Sequence, residues 1–335
     1  MTGIRSALLL LAGLTLLLGP ARAWPLELTP FQTANRSPLV LGYGLPPLPD
    51  AKRLPAGRTS ALLTVDLASN YTESTRDREQ IVLDGETYRF DLALRCGLSP
   101  TLEVRADIPY ISHRGGFLDG FIEDFHDLFG LPQGGRDKAP RNRLLYSYVR
   151  DGRQEIALEE NTEGLGDVRL SGAWQLYEEE GGLRSATVFG SLKLPTGDSD
   201  RLLGSGSTDL AFGLSGSLAT LSSWGPIRAW GGGGLLLMTE GDLLPQQQNQ
   251  AAGFGALGAG WAPLPWLAFK LQLDGHTSFY GGSDFEEVDF PSMQVVMGGT
   301  LGLAPETALD IAVVEDIAVN TAPDAVFHFA LRHNF

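Results

Sequence analysis

The sequence predicts an all-β fold, a transmembrane antiparallel up-and-down β-barrel of about twelve strands. Three observations carry that expectation. After residue 23 no segment has 18 uninterrupted apolar residues, so no helix is long and oily enough to span a bilayer. The chain instead repeats runs of about ten to fourteen residues in which apolar and polar side chains alternate, the period of a strand with one oily face. Such runs are long for soluble strands and close to the ~9 to 11 residues that cross a membrane at a tilt. The last run, Ala325 to Phe335, sets Phe327, Phe329, Leu331, His333 and Phe335 on one face and stops on an aromatic. A chain that satisfies its backbone in lipid without helices must close a barrel.

In chain order, residues 1–23 read as a secretory signal peptide: Arg5 supplies the positive start, Ala7 to Leu18 the short apolar run, and Ala21-Arg22-Ala23 the small-x-small cleavage site. Trp24 follows, so no lipid-anchoring cysteine stands at the cleavage point. The formal net charge is −15, and Arg5 and Arg22 both belong to the leader. The exported part is therefore more acidic still, which argues against nucleic acid as a partner. Cys96 is the single cysteine; an internal disulfide is impossible, and a small apolar residue in a strand is the expected role.

Residues 24–59 precede the first strand. Pro30, Pro38, Pro46, Pro47 and Pro49 break any ladder there, yet Phe31, Leu39, Val40, Leu41 and Tyr43 are apolar for a solvated linker. Either a periplasmic leader or a lumenal plug satisfies this composition. The barrel is expected over 60–335, with strands at 60–70, 86–98, 101–112, 167–177, 184–194, 208–220, 226–239, 250–262, 265–279, 291–303, 306–319 and 323–335. An even count leaves both ends of the wall on the periplasmic side. Gly97-Leu-Ser-Pro100, Trp224-Gly225-Pro226, Gly260-Trp-Ala-Pro263 and Gly302-Leu-Ala-Pro305 mark short turns. The longer connections, 71–85, 113–166, 195–207, 240–249 and 280–290, then face outward. Trp224, Trp261 and Trp266 fall at the short turns, where an aromatic girdle would lie.

The 113–166 connection exceeds an ordinary loop, and such loops are usually functional. Phe117, Phe121 and Phe125 recur there at helical spacing with Leu118, Ile122, Leu128 and Phe129, opposite Asp119, Glu123, Asp124 and Asp127. A short amphipathic helix is expected, either packed on the rim or forming a constriction or capture surface through those three phenylalanines. Arg143 to Val149 and Glu155 to Leu158 flank Asp151-Gly152 as a hairpin; placed in the wall, it would raise the count to fourteen.

No nucleotide loop, metalloprotease motif, nucleophile elbow or cysteine-rich metal spacing is present. No cofactor and no metal are expected, and no Ser has a recognisable catalytic setting, so an enzyme is not the expectation. The candidate site is the polar face of the wall: Arg89, Asp91, Arg95, Glu103, Arg105, Asp107, Arg169, Lys193, Lys270, Asp274 and His276. In a wide pore such mixed ladders select solutes; in a narrow one they pair and fill the interior.

The terminal strand ending on Phe335 resembles the closing strand of bacterial outer-membrane barrels, the signal read by the barrel assembly machinery. Leu192-Lys-Leu-Pro-Thr-Gly-Asp198 and Gly164-Leu-Gly-Asp-Val168 resemble motifs in the meta-pathway phenol degradation outer-membrane proteins and in a neighbouring uncharacterised outer-membrane barrel family of similar length. The latter likeness also takes in Pro30-Phe31 and Asn35-Arg-Ser-Pro38. More distantly, the chain is similar to long-chain fatty acid transporter-type channels, without the Asn-Pro-Ala start of their N-terminal hatch. The resemblance implies location in the cell outer membrane, contact with its lipid and lipopolysaccharide, and passive diffusion of a small hydrophobic solute. A structural or assembly barrel without transport, and a lipid-modifying barrel enzyme, are the alternatives.

Overall fold

The computed structural model describes residues 26–120, 140–179, 181–317 and 321–335. The expected signal peptide and the part of the expected amphipathic helix with Phe121 and Phe125 lie outside the described residues. Fifteen strands run through the described part: β1 (Thr59–Arg76), β2 (Glu79–Gly97), β3 (Leu102–Arg114), β4 (Leu145–Arg150), β5 (Arg153–Leu158), β6 (Thr162–Leu165), β7 (Arg169–Glu178), β8 (Arg184–Lys193), β9 (Asp209–Ser222), β10 (Gly225–Met238), β11 (Ala251–Leu264), β12 (Leu267–His276), β13 (Ser292–Ala304), β14 (Thr307–Asp316) and β15 (Ala325–Asn334). Twelve of them, all but β4, β5 and β6, form one closed antiparallel wall, as the alternation predicts. The ring closes where β1 pairs with β15, from Ser60 opposite Asn334 to Ser69 opposite Ala325. At that seam the Phe335 N–H donates to the Thr59 carbonyl at 2.9 Å.

The alternation resolves into two faces. On β2, Phe90, Leu92 and Leu94 are exposed while Arg89, Asp91 and Ala93 are buried. An exposed apolar band with a polar buried face is the reverse of a soluble sheet and suits a wall solvated by lipid. Trp224, Trp261 and Trp266 are exposed beside the short turns, and the Trp261 indole donates to the Trp224 carbonyl at 2.8 Å.

Two expectations need correction. The segment 71–85 is not a loop: β1 and β2 continue through it, pairing Tyr71 with Asp84 out to Arg76 with Glu79. Tyr71, Thr72, Thr75, Ile81 and Val82 favour strand, but Glu73, Ser74 and the charged tip from Arg76 to Glu79 interrupt the oily face, because this part of the hairpin stands beyond the lipid, where no such face is required. The short turn at Pro263 also moves, since β11 runs on to Leu264 through a bulge between Trp261 and Leu264. A bulge accommodates a residue that cannot donate to the ladder.

β4 pairs with the outer extension of β2 and turns into β5 through Asp151 (φ 48°) and Gly152 (φ 74°), the two left-handed residues of a tight hairpin turn. β6 pairs with the outer end of β3. None of the three enters the wall, so the count is twelve and not fourteen. At the long-loop end, Leu83, Tyr146, Tyr148, Ile156, Leu236, Met238, Phe279, Tyr280 and Phe285 form an apolar core together with Leu39, Val40 and Tyr43. A dome packed from four connections and the N-terminal segment thus covers that end.

Candidate functional site

All eleven polar residues singled out on the wall turn to the inside, and most are joined in pairs. Arg95 forks onto Glu103 with both N–O distances at 2.9 Å. Asp107 holds Arg105 at 2.6 Å and Arg169 at 3.2 Å, and Arg89 lies 3.8 Å from Asp91. Lys193 sits between Asp167 at 2.8 Å and Asp209 at 3.1 Å; Lys270 pairs with Asp310 at 2.9 Å. The fork–fork geometry of Arg95 and Glu103 is the strong form of such pairs. Sequence reading missed Asp66, Asp209, Arg228 and Asp310. Asp66 and Asp310 obey the parity of their strands and were legible as polar residues between apolar neighbours. Arg228 opens the Gly-rich strand β10, where small residues blur the two faces.

Residues 26–58 thread through the ring as a long hairpin. The ascending limb tracks β12 with a constant offset of 241 residues: Lys270 donates to the Thr29 carbonyl, the Phe31 N–H donates to Gln272, Thr33 donates to Asp274 at 2.5 Å, and Asn35 meets His276 at 2.9 Å. Extended chain with period 2 explains the skipping of every other residue. A turn at Ser37 to Tyr43 then reaches the dome, where the Tyr280 hydroxyl donates to the Leu39 carbonyl at 2.6 Å. On the descending limb the Gly44 N–H donates to Asp209 at 2.6 Å, Arg169 to the Leu45 carbonyl at 3.1 Å, Thr187 to the Ala51 carbonyl at 2.8 Å, and the Leu54 N–H to Glu103 at 3.0 Å. The Gly57 N–H finally donates to the Gly97 carbonyl at 2.8 Å, beside the turn into β3. Both limbs therefore end at the short-turn side. Pro46, Pro47 and Pro49 cannot donate to a ladder, and the wall side chains take over the satisfaction of this buried backbone.

Ion pairs latch the hairpin to the wall: besides the two tight ones at Arg36 and Asp50, Arg53 lies 3.6 Å from Glu103 and Arg58 3.2 Å from Glu306. Arg36 meets Asp66 of β1 at 2.6 Å, and the same carboxylate takes His328 of β15 at 2.6 Å. Asp50 meets Arg228 of β10 at 2.5 Å. Burial alone would push the Asp50 carboxyl up, but the adjoining Arg228 guanidinium outweighs it and holds the group below the usual carboxylate range. With a depressed folded value, that pair contributes fully above the ordinary Asp range near pH 4 and loses its contribution only as pH falls through the lower folded value. Close approach needs a missing side chain: a Cβ on Gly44 would lie 2.9 Å from the Asp209 Cβ and 3.1 Å from the Lys193 Cβ.

Lys193 also donates to Ser205, and at 3.2 Å to Ser207. A Ser–Lys pair can be a nucleophile and its base, yet here two carboxylates flank the ammonium and both serines are fully buried. The cluster instead anchors the 195–207 connection, because Asp167 also accepts from the Gly197 and Ser205 N–H groups; these are the residues of the paired glycine-aspartate motifs. Phe117, 66% exposed, stacks on Tyr88 with ring centroids 6.5 Å apart. Tyr88 shares the outward face of β2 with Phe90 and Leu92, so Phe117 is not in the lumen. Among the described residues no group of three His, Cys, Asp or Glu side chains could hold a metal ion.

Between the hairpin and the wall, at the short-turn end, lies a cavity with about 70 Å³ open to the centres of water molecules. That is room for a handful of waters at ~10 to 15 Å³ each. Arg53, Arg95, Arg105, Arg169 and Arg332 line it, with Asp50, Glu103 and Asp310.

Over residues 6–335 the chain matches the family described as a protein of unknown function, DUF3187. No curated protein matches it in sequence. Among solved structures it is similar to the COG4313 outer membrane channel from Pseudomonas putida F1, with a TM-score of 0.54 at 12% identity, covering 85% of this chain and 98% of that one. The NanC porin aligns at a TM-score of 0.44 and 6% identity over 83% and 98% of the two chains. The Ralstonia pickettii toluene transporter TbuX aligns at 0.36 and 10% identity over 93% and 96%. The first of these likenesses extends to the barrel architecture.

Proposed function

The chain belongs to the DUF3187 family, and from that premise we propose that it is an outer-membrane channel whose lumen is occupied by a displaceable N-terminal plug. The observation that carries this reading is the construction of the interior. About eight strands make a ring that side chains alone can fill; this ring has twelve, and the surplus space is taken by residues 26–58. The plug meets the wall through hydrogen bonds, the ion pairs of Arg36, Asp50, Arg53 and Arg58 and apolar contacts at Leu28, Phe31 and Leu41, and it adds no strand to the ladder, as a separable body would. The barrel architecture shared with the COG4313 outer membrane channel supports the same role. Passage is by diffusion once the hairpin shifts. The solutes are small and largely apolar, since a path through the covered end crosses the buried apolar packing of Leu39, Val40, Leu236, Phe279 and Phe285.

A second reading, a structural barrel without transport, draws on the same ion pairs, because interlocked charges also close a lumen for good. Planar bilayers and solute-loaded liposomes separate the two. The intact protein should show small or intermittent conductance, and the double variant Arg36→Gln, Asp50→Asn should conduct more often. Folded protein that neither conducts nor admits solute in either form would establish the structural role and end the channel reading.

A further inference from the structure

The cavity at the short-turn end departs from the electrostatics of the rest of the chain. The protein is strongly acidic, with a formal net charge of −15, yet five of the charged side chains around this cavity are arginines and three are carboxylates. Those carboxylates are already committed. Glu103 serves Arg95 and also Arg53, the latter at 3.6 Å; Asp50 is held by Arg228 and Asp310 by Lys270. The neighbouring Asp107 is shared by Arg105 and Arg169. Guanidinium edges are left over. Arg53 has only 2% of its side chain exposed, and its Nε and Nη2 have no hydrogen-bond partner among the described residues. Arg332 donates to the Thr29 hydroxyl at 3.1 Å and makes no carboxylate ion pair among the described residues.

A buried guanidinium with idle N–H groups is costly, and the group that satisfies it best is a planar oxyanion. The uncharged lining is part apolar, with Pro30, Pro46, Pro47, Pro49, Leu62 and Phe189, and part polar, with Thr29, Gln32, Ser171 and Ser191. Resting on the channel reading above, we propose that this cavity is a carboxylate subsite, taking a small monocarboxylate whose apolar body lies against the plug prolines and Phe189. The solute class becomes small organic acids with an oily body, bound next to the segment that must move for it to pass. Contact of the ligand with Pro46 to Pro49 couples occupancy to the position of the plug.

The test is calorimetric titration of the full-length, detergent-solubilised barrel with benzoate, with the neutral isostere benzamide and with inorganic phosphate at fixed ionic strength. Benzoate should bind saturably and at least about tenfold tighter than benzamide, the size of a charge-assisted hydrogen bond. Arg332→Gln should weaken benzoate by about tenfold or more with benzamide unchanged, and Arg332→Lys should retain part of the affinity. Arg53→Gln provides a second variant, and heat-modifiability on gels verifies that each is folded. Equal binding of benzoate and benzamide, or benzoate affinity untouched in both Arg→Gln variants, overturns the subsite. So does phosphate binding that matches benzoate, which would make it a general anion site. Binding needs no conduction, so benzoate recognition in a protein that never conducts would keep the subsite and sink the channel. Conduction without benzoate preference would do the reverse.

Discussion

Single residues set how firmly the hairpin is held. Gly44 lets the descending limb lie against the wall, and an Ala there must displace the Asp209 or Lys193 side chain at its root. Over-packing of this kind typically costs about 1 to 3 kcal/mol, and it falls on the plug, not on the ladder. Gly44→Ala should therefore raise open probability in bilayers while leaving the heat-modifiable migration of the barrel unchanged; loss of the folded band instead would place Gly44 in the stability of the wall. Asp50→Asn leaves Arg228 buried beside a neutral partner. Removing one member of a buried pair costs about 3 to 5 kcal/mol, so protease cutting after Arg53 should become faster in the variant, read as the rate of loss of the intact N-terminus. These positions were unequally legible. Asp66 and Asp310 could be found by strand parity, but Asp50, Arg53 and Gly44 lie in a Pro-rich stretch without periodicity, and only the three-dimensional path assigns them to wall partners.

At the level of elements, alternation recovered the twelve wall strands because lipid enforces it: a residue facing hydrocarbon has no polar option. Where the wall leaves the membrane the constraint lapses, so 71–85 reads as a connection although it is the outer part of β1 and β2. The motif-bearing segments around Asp167 and Lys193 stood out in the sequence, but their work, anchoring the 195–207 connection, depends on contacts from Asp167 across 30 to 38 residues. The β4–β5 hairpin gives an element-scale prediction. Tyr146 and Tyr148 are fully buried in the dome, and Gln247 donates to the Tyr148 hydroxyl at 3.1 Å. Replacing 145–158 by a short Gly-Ser linker removes that packing without touching the ladder of the wall. The barrel should still fold and migrate as such, while liposome uptake of apolar solutes should rise. Unchanged uptake would mean that the dome does not limit access.

Across the whole molecule, the two ends of the barrel differ in kind, and this fixes a prediction about orientation. One end carries turns of two to five residues, the exposed Trp224, Trp261 and Trp266, the entry and exit of the plug hairpin, and the seam at Thr59 and Phe335. The other carries the extended β1–β2 hairpin, β4 to β6 and the packed dome. Single-chain bacterial barrels place short turns in the periplasm and long loops outside, so Arg78, at the tip of the β1–β2 hairpin, should face the medium, and Glu306, in a short turn, the periplasm. Both side chains are well exposed, at 78% and 49%, so either can be replaced by Cys in a Cys96→Ser background without disturbing packing. A membrane-impermeant maleimide added to intact cells should label Arg78→Cys and spare Glu306→Cys until the outer membrane is permeabilised. The opposite pattern would invert the barrel and put the carboxylate cavity at the outer mouth. Labelling of both in intact cells would indicate that the chain does not span the membrane in this form. With the expected pattern, a solute arriving from outside meets the apolar dome first and the arginine-lined cavity last, the order in which an acid with an oily body can be stripped of water and then held by its charge.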